Sequence, residues 1–128
     1  MSITFTALPA DADQPGLPEL TVGTANAYAL LRLLGLMPPD GRQINVFGLT
    51  VVEGAGEGEL DAADFLGRVL LAQALLDAGS TDAVGEPAYS VGNVTYCGRR
   101  PGYLAEKLGI LADIAAWAVQ HQAMMRWY

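Results

Sequence analysis

Apolar and polar positions alternate at the start of the chain, where Ile3, Phe5 and Ala7 are separated by Thr4 and Thr6. Period two predicts a half-buried strand over Ile3 to Ala7. Pro9 to Pro18, rich in proline and aspartate, reads as a loop, and Leu20-Thr21-Val22 as a short extended segment. A first helix starts at Thr24 or Asn26, either of which can cap it, and carries Ala27, Leu30, Leu31 and Leu34 on one stripe before Gly35 stops it. Pro38 to Gly41 is a turn. Ile44 to Val52 alternates and reads as one strand, and Gly54 to Glu59 as a flexible acidic connection.

Asp61 caps a second helix reaching Ala78, with Gly79 as its stop. Leu66, Val69, Leu70 and Leu76 form its expected buried stripe, and Leu71 and Leu75 widen the apolar surface beyond one face. Asp64 and Arg68, four apart, pair on the exposed side. Ser80 to Pro87 is loop, and Tyr89 to Cys97 alternates as a strand. Pro101 opens a third helix, where its missing N–H costs nothing. That helix is apolar nearly all round, with a polar stripe of Glu106, Asp113 and Gln120, and His121 continues its Ile110, Ile114, Trp117 row as a packed histidine. Met124 to Tyr128 reads as a last strand.

The resulting order, β-β-α-β-α-β-α-β, predicts an α+β fold with a small mixed sheet and about three helices packed mainly on one face. Short turns around Gly23 and Gly98 suggest some parallel pairing. The 128 residues suit one domain, 1–128. With 52% hydrophobic and 16% charged residues the chain can bury a contiguous core. The apolar runs fall short of the ~18 residues a membrane span needs, and no signal peptide is visible. The single cysteine, Cys97, suits a reducing compartment, so a cytoplasmic location is expected.

Charge narrows the functional classes. Seven basic and fourteen acidic residues give −7, which disfavours direct binding to nucleic-acid phosphates. No positive charge falls between Gln43 and Gly67, while Glu53, Glu57, Glu59, Asp61 and Asp64 crowd that stretch. It reads either as a solvated surface or as an acidic face for a basic partner protein.

The segment from Asn93 to Tyr103 carries the most chemistry. Arg99 and Arg100 form the chain's only adjacent basic pair and stand where a strand turns into a helix. Gly98 allows a sharp turn, and Gly102 lets a ligand approach the backbone. A helix start favours an anion, arginine recognises phosphate or carboxylate bidentately, and Tyr96 or Tyr103 can stack on a ring. Asn93, Tyr96, Gly98, Arg99, Arg100, Gly102 and Tyr103 are therefore the candidate ligand-binding residues. The other reading of the arginines is simple pairing with this chain's many carboxylates.

Catalytic chemistry finds little support. Cys97 as a nucleophile needs a base, and the only histidine, His121, lies far along the third helix. One Cys and one His make no zinc site, and neither Asp11 and Asp13 nor Glu57, Glu59 and Asp61 follow the EF-hand pattern. The glycines at 54, 56 and 58 lack the Lys-Ser/Thr of a phosphate loop. No cofactor, metal or catalytic residue is expected.

Three stretches carry a resemblance: Thr24-Ala-Asn-Ala-Tyr-Ala-Leu-Leu-Arg-Leu-Leu-Gly-Leu36, Asp61-Ala-Ala-Asp-Phe-Leu-Gly-Arg-Val-Leu-Leu-Ala72 and Cys97-Gly-Arg-Arg-Pro-Gly-Tyr-Leu104. Together they resemble a group of small uncharacterised proteins scattered through bacterial and bacteriophage genomes, with Cys-Gly-Arg-Arg-Pro-Gly-Tyr as the most specific part. The likeness spans most of the chain except the first ~18 residues. It implies no activity and no catalytic residue, only an accessory role in the contest between phage and host. The expectation is a non-enzymatic protein that binds and sequesters a small anionic, nucleotide-like ligand. The alternative is an acidic inhibitor or adaptor acting on a basic protein. In either case the apolar breadth of the second and third helices predicts a homodimer or higher homo-oligomer.

Overall fold

The computed structural model describes residues 2–8, 17–38, 43–46, 49–77, 89–91, 94–96 and 101–128. The elements in chain order are β1 (Ser2–Leu8), β2 (Glu19–Gly23), α1 (Thr24–Leu33), β3 (Gln43–Val46), β4 (Leu49–Val52), β5 (Gly58–Asp61), α2 (Ala62–Asp77), β6 (Tyr89–Val91), β7 (Val94–Tyr96), α3 (Tyr103–Gln120) and β8 (Met124–Trp127). Among the described residues four strands form the main sheet, in the order β2-β1-β8-β5. The helices pack on it, so the fold is α+β. The last strand of the chain thus lies inside the sheet, between the first strand and β5. Every pairing among the described strands is antiparallel, in place of the expected parallel component, and Gly98 lies outside the described residues.

Alternation decides which side of the sheet is buried. Ile3, Phe5 and Ala7 of β1, Leu20 and Val22 of β2, and Met125 and Trp127 of β8 point into the core. The opposite face carries Thr4, whose hydroxyl shares a 2.8 Å hydrogen bond with that of Thr21 across the β1–β2 pair. Phe5, Phe65 and Trp127 form an aromatic triangle at the centre, with ring centroids 6.2 to 6.5 Å apart.

α1 starts at Thr24 with Gly23, rather than Thr24 or Asn26, at its N-cap. Its end follows the pattern read from Gly35. That residue takes φ 68°, and the Leu36 N–H reaches back to the Leu31 carbonyl at 2.9 Å. Arg68 completes the end from another helix. Its Nη1 donates to the Leu34 carbonyl at 3.0 Å and its Nε donates to Asp64 Oδ1 at 3.0 Å.

Asp61 does cap α2, accepting the Asp64 N–H at 3.3 Å. The buried row of α2, however, is Ala62, Phe65, Val69 and Ala72, and Leu70 is 54% exposed. The phase of the apolar stripe is shifted because Phe65 turns to the sheet, where its ring packs on Phe5 and Trp127. α3 begins at Tyr103 after a left-handed Gly102, with Pro101 outside it. At its far end Gln122 takes φ 54° and the Ala123 N–H returns to the Ala118 carbonyl at 2.8 Å. His121 is exposed rather than packed in a core row. Its ring stacks on Trp117 at 3.9 Å, and its Nδ1 donates to the Trp117 carbonyl at 2.8 Å.

Three segments depart from the strands read along the chain. Gln43–Val46 and Leu49–Val52 are two antiparallel strands, β3 and β4, and Tyr89–Val91 and Val94–Tyr96 are likewise β6 and β7. The supposed acidic connection contains β5, which pairs Gly58 with Trp127 and Glu59 with Arg126.

Candidate functional site

Two regions hold the residues on which function can be argued. The first is the start of α3. Asn93, Cys97, Gly98, Arg99 and Arg100 lie outside the described residues. Tyr96 ends β7, its backbone opposite Tyr89. Gly102 is the N-cap of α3 at φ 76° and ψ 5°, a conformation glycine adopts without a Cβ penalty. A Cβ there would meet nothing within 4 Å of the described protein atoms, so within the chain the glycine answers a backbone requirement. Tyr103 follows, partly buried, and Lys107 places its Nζ 5.2 Å from the Tyr103 ring centroid. Lys107 is a cation that the motif-based reading passed over. The helical spacing of four from Tyr103 was the available signal.

Tyr103, Leu104, Ala105 and Glu106 all have interaction partners, so this helix start offers no donor that can be counted as vacant. The described geometry therefore brings together Gly102, Tyr103 and Lys107.

The second region is the β5 edge of the main sheet. The chain turns at residues 53–56, with Gly54 at φ 82° and Ala55 buried, and then runs along β5 into α2. Glu53, Glu57, Glu59, Asp61 and Asp64 are all exposed along this path. Strand alternation explains part of the array. Glu59 and Asp61 stand on the outer face, while Leu60 and Gly58 face inward. Among the described residues only Asp64 of the five has an ion-pair partner, Arg68 at 3.0 Å. Arg126, the cross-strand neighbour of Glu59, has its guanidinium 5.1 Å from the Tyr128 ring centroid.

Glu57, Gly58, Glu59, Arg126 and Trp127 line a shallow depression of about 390 Å³ at this edge. Beneath it Trp127 is 6% exposed, and its indole Nε1 is buried with no hydrogen-bond partner. Gly58 lies directly against the indole, since a Cβ there would fall 2.3 Å from Trp127 Cζ2. The acidic run was visible in the sequence. The depression was not, because it needs β5 paired with a strand from the far end of the chain.

Among the described residues no group of three His, Cys, Asp or Glu is placed to hold a metal ion. No described helix is long and apolar enough to cross a membrane. Compared with protein-family models, with curated proteins and with solved structures, the chain matches none.

Proposed function

We propose that this chain acts by binding rather than by catalysis, and that it docks a basic partner protein along the acidic β5 edge. The observation carrying this reading is the exposure of five carboxylates in one continuous path, four of them without a basic partner among the described residues. Carboxylates spread over a turn, an edge strand and a helix start raise the local negative potential, which speeds encounter with a cationic surface. Such docking weakens as salt screens the charges beyond roughly 10 Å.

The test compares wild type with Glu57→Gln/Glu59→Gln/Asp61→Asn in pull-downs from bacterial lysate at low and high salt. A basic protein retained by wild type at low salt and lost by the triple variant supports the reading. Equal capture by both, or no capture at low salt, overturns it.

A second reading, a small anionic and nucleotide-like ligand at the start of α3, has its own support. Arg99, Arg100 and Lys107 bring three of the chain's seven Lys and Arg residues within one short segment, and Lys107 lies against Tyr103. Thermal-shift screening with nucleotides and cyclic dinucleotides tests it, and a shift that survives Arg99→Ala/Arg100→Ala would exclude the site. Both readings fit an accessory protein in the contest between phage and host, as the resemblance implies. Self-association would serve either one by presenting two such surfaces to one partner.

A further inference from the structure

We propose that the basic partner docks at β5 as an extended segment, added antiparallel to the sheet edge with a lysine or arginine at every second position. This mode rests on the reading of the acidic β5 edge as a docking surface and specifies how the two chains meet.

The main-chain pattern sets the mode. Thr4 and Tyr128 exchange both of their N–H···O bonds, at 2.8 and 3.0 Å. Bonding direction alternates along an antiparallel strand, so Trp127 and Met125 turn to β5, opposite Gly58 and Leu60. The N–H and C=O of Glu59 and the N–H of Asp61 therefore point away from β8. β5 is the last strand in the sheet order, and the Glu59 main chain has no other partner among the described residues. Such an edge takes up an extended strand through main-chain hydrogen bonds.

Charge selects the occupant. The β5 residues whose main chain faces outward are the same ones that carry carboxylates, because both properties alternate with period two. Glu59 and Asp61 stand about 6.8 Å apart along the strand, and Glu57 continues the spacing. Side chains opposite them on an added strand lie on the same face, where opposite charges attract and like charges repel. A second β5 would set carboxylate against carboxylate, so the edge rejects a copy of itself and admits a basic strand. Arg126 is held over the Tyr128 ring, 5.1 Å from its centroid, which leaves Glu59 to the incoming cation.

The indole calls for an acceptor at the same place. Trp127 Nε1 is buried without a hydrogen-bond partner, and Trp127 lines the depression with Glu57, Gly58 and Glu59. Cε2, the ring carbon bonded to Nε1, would lie 2.7 Å from a Cβ on Gly58, so this edge of the ring borders the glycine. An added residue opposite Gly58 points to the indole side of the sheet. A hydroxyl there supplies the acceptor, which favours serine or threonine between two basic residues.

Three blocked synthetic peptides, titrated into the 15N-labelled protein at low salt, test the mode. They are Thr-Lys-Thr-Lys-Thr-Lys-Thr, its isomer Thr-Thr-Lys-Lys-Lys-Thr-Thr, and the alternating peptide N-methylated at its central lysine. The alternating peptide should bind at least about fivefold tighter than the isomer of equal charge. N-methylation, which removes one main-chain donor and no charge, should weaken it about tenfold. The Glu59 amide and the Trp127 indole N–H should both shift on binding. Equal affinity for the isomer or for the N-methylated peptide overturns strand addition and leaves docking by charge in place. Failure of all three to bind overturns both strand addition and the docking surface on which it rests.

Discussion

Replacing Gly58 with alanine should destabilise the protein by about 1–3 kcal/mol, the range found for overpacked cores. The added Cβ would lie 2.3, 2.7 and 2.9 Å from Cζ2, Cε2 and Cη2 of Trp127. Carbon atoms rest at about 3.5–4.0 Å, so the indole must retreat by more than 1 Å or β5 must leave the sheet. Retreat is obstructed, because Phe5 and Phe65 stand 6.5 and 6.2 Å away, centroid to centroid, and both are fully buried. The backbone at Gly58 is not left-handed, so alanine carries no conformational strain and even gains from a less flexible unfolded chain. The predicted loss is therefore steric alone.

Thermal unfolding followed by circular dichroism measures it. At roughly 4 °C per kcal/mol for a domain of this size, the melting temperature should fall by about 4–12 °C. A double-mutant cycle isolates the contact, since in a Trp127→Leu background the same Gly58→Ala change should cost less than about 0.5 kcal/mol. Gly109→Ala, which meets nothing within 4 Å in the middle of α3, is the control and should raise stability by roughly 0.5–1 kcal/mol. If Gly58→Ala melts within about 1 °C of wild type, or if its cost persists without the indole, then Trp127 does not lie over Gly58 and the β5–β8 register is wrong.

Three further outcomes follow from the fold. Phe65→Ala removes a ring that is 0% exposed from the aromatic triangle and should cost about 3–5 kcal/mol in urea unfolding. Arg68→Met loses the Asp64 pair and the tie to the Leu34 carbonyl. Because the two side chains are 37 and 49% exposed, solvent screening holds the cost to roughly 0.5–1 kcal/mol, measurable as a lower urea midpoint. Gln122→Gly relieves a non-glycine residue at φ 54° and should raise the melting temperature by the equivalent of about 0.5–1 kcal/mol.

The parts of the fold that were legible in the sequence are those set by local rules. The alternation of Ile3 to Ala7, the glycine stop at Gly35 and the Asp61 cap each act within a few residues. What local rules missed needs a distant partner. β5 has one apolar residue, Leu60, in Gly-Glu-Leu-Asp, and becomes a strand because β8 supplies its hydrogen bonds and Trp127 covers Gly58. The nine-residue alternation from Tyr89 is compatible with one long strand or two short ones, and only the pairing of Tyr89 with Tyr96 separates β6 from β7. The phase of α2 depends on where α3 approaches, so Leu70 could not be assigned to the surface from periodicity alone. The candidate sites divide the same way. The acidic run and the arginine pair are read directly, whereas Lys107 against Tyr103 and the depression at Arg126 appear only once the elements are assembled.

Carboxylates on an edge strand have an ordinary use that must be separated from docking. An unpaired strand edge invites pairing with other chains, and charged side chains on it prevent aggregation. For that purpose the sign of the charge is immaterial, so lysines at the same positions would serve as well. Docking of a basic protein depends on the sign. Glu57→Lys/Glu59→Lys, which spares the Asp61 cap of α2, should therefore leave solubility intact. The melting temperature should fall by no more than about 8 °C, because both side chains are exposed and exposed charges contribute at most about 1 kcal/mol each. Capture of a basic partner at low salt should vanish. If the reversed variant aggregates at concentrations where wild type does not, specific negative charge is needed for folding. If it still captures the same partner, the β5 edge is guarded by its charges and used for nothing more.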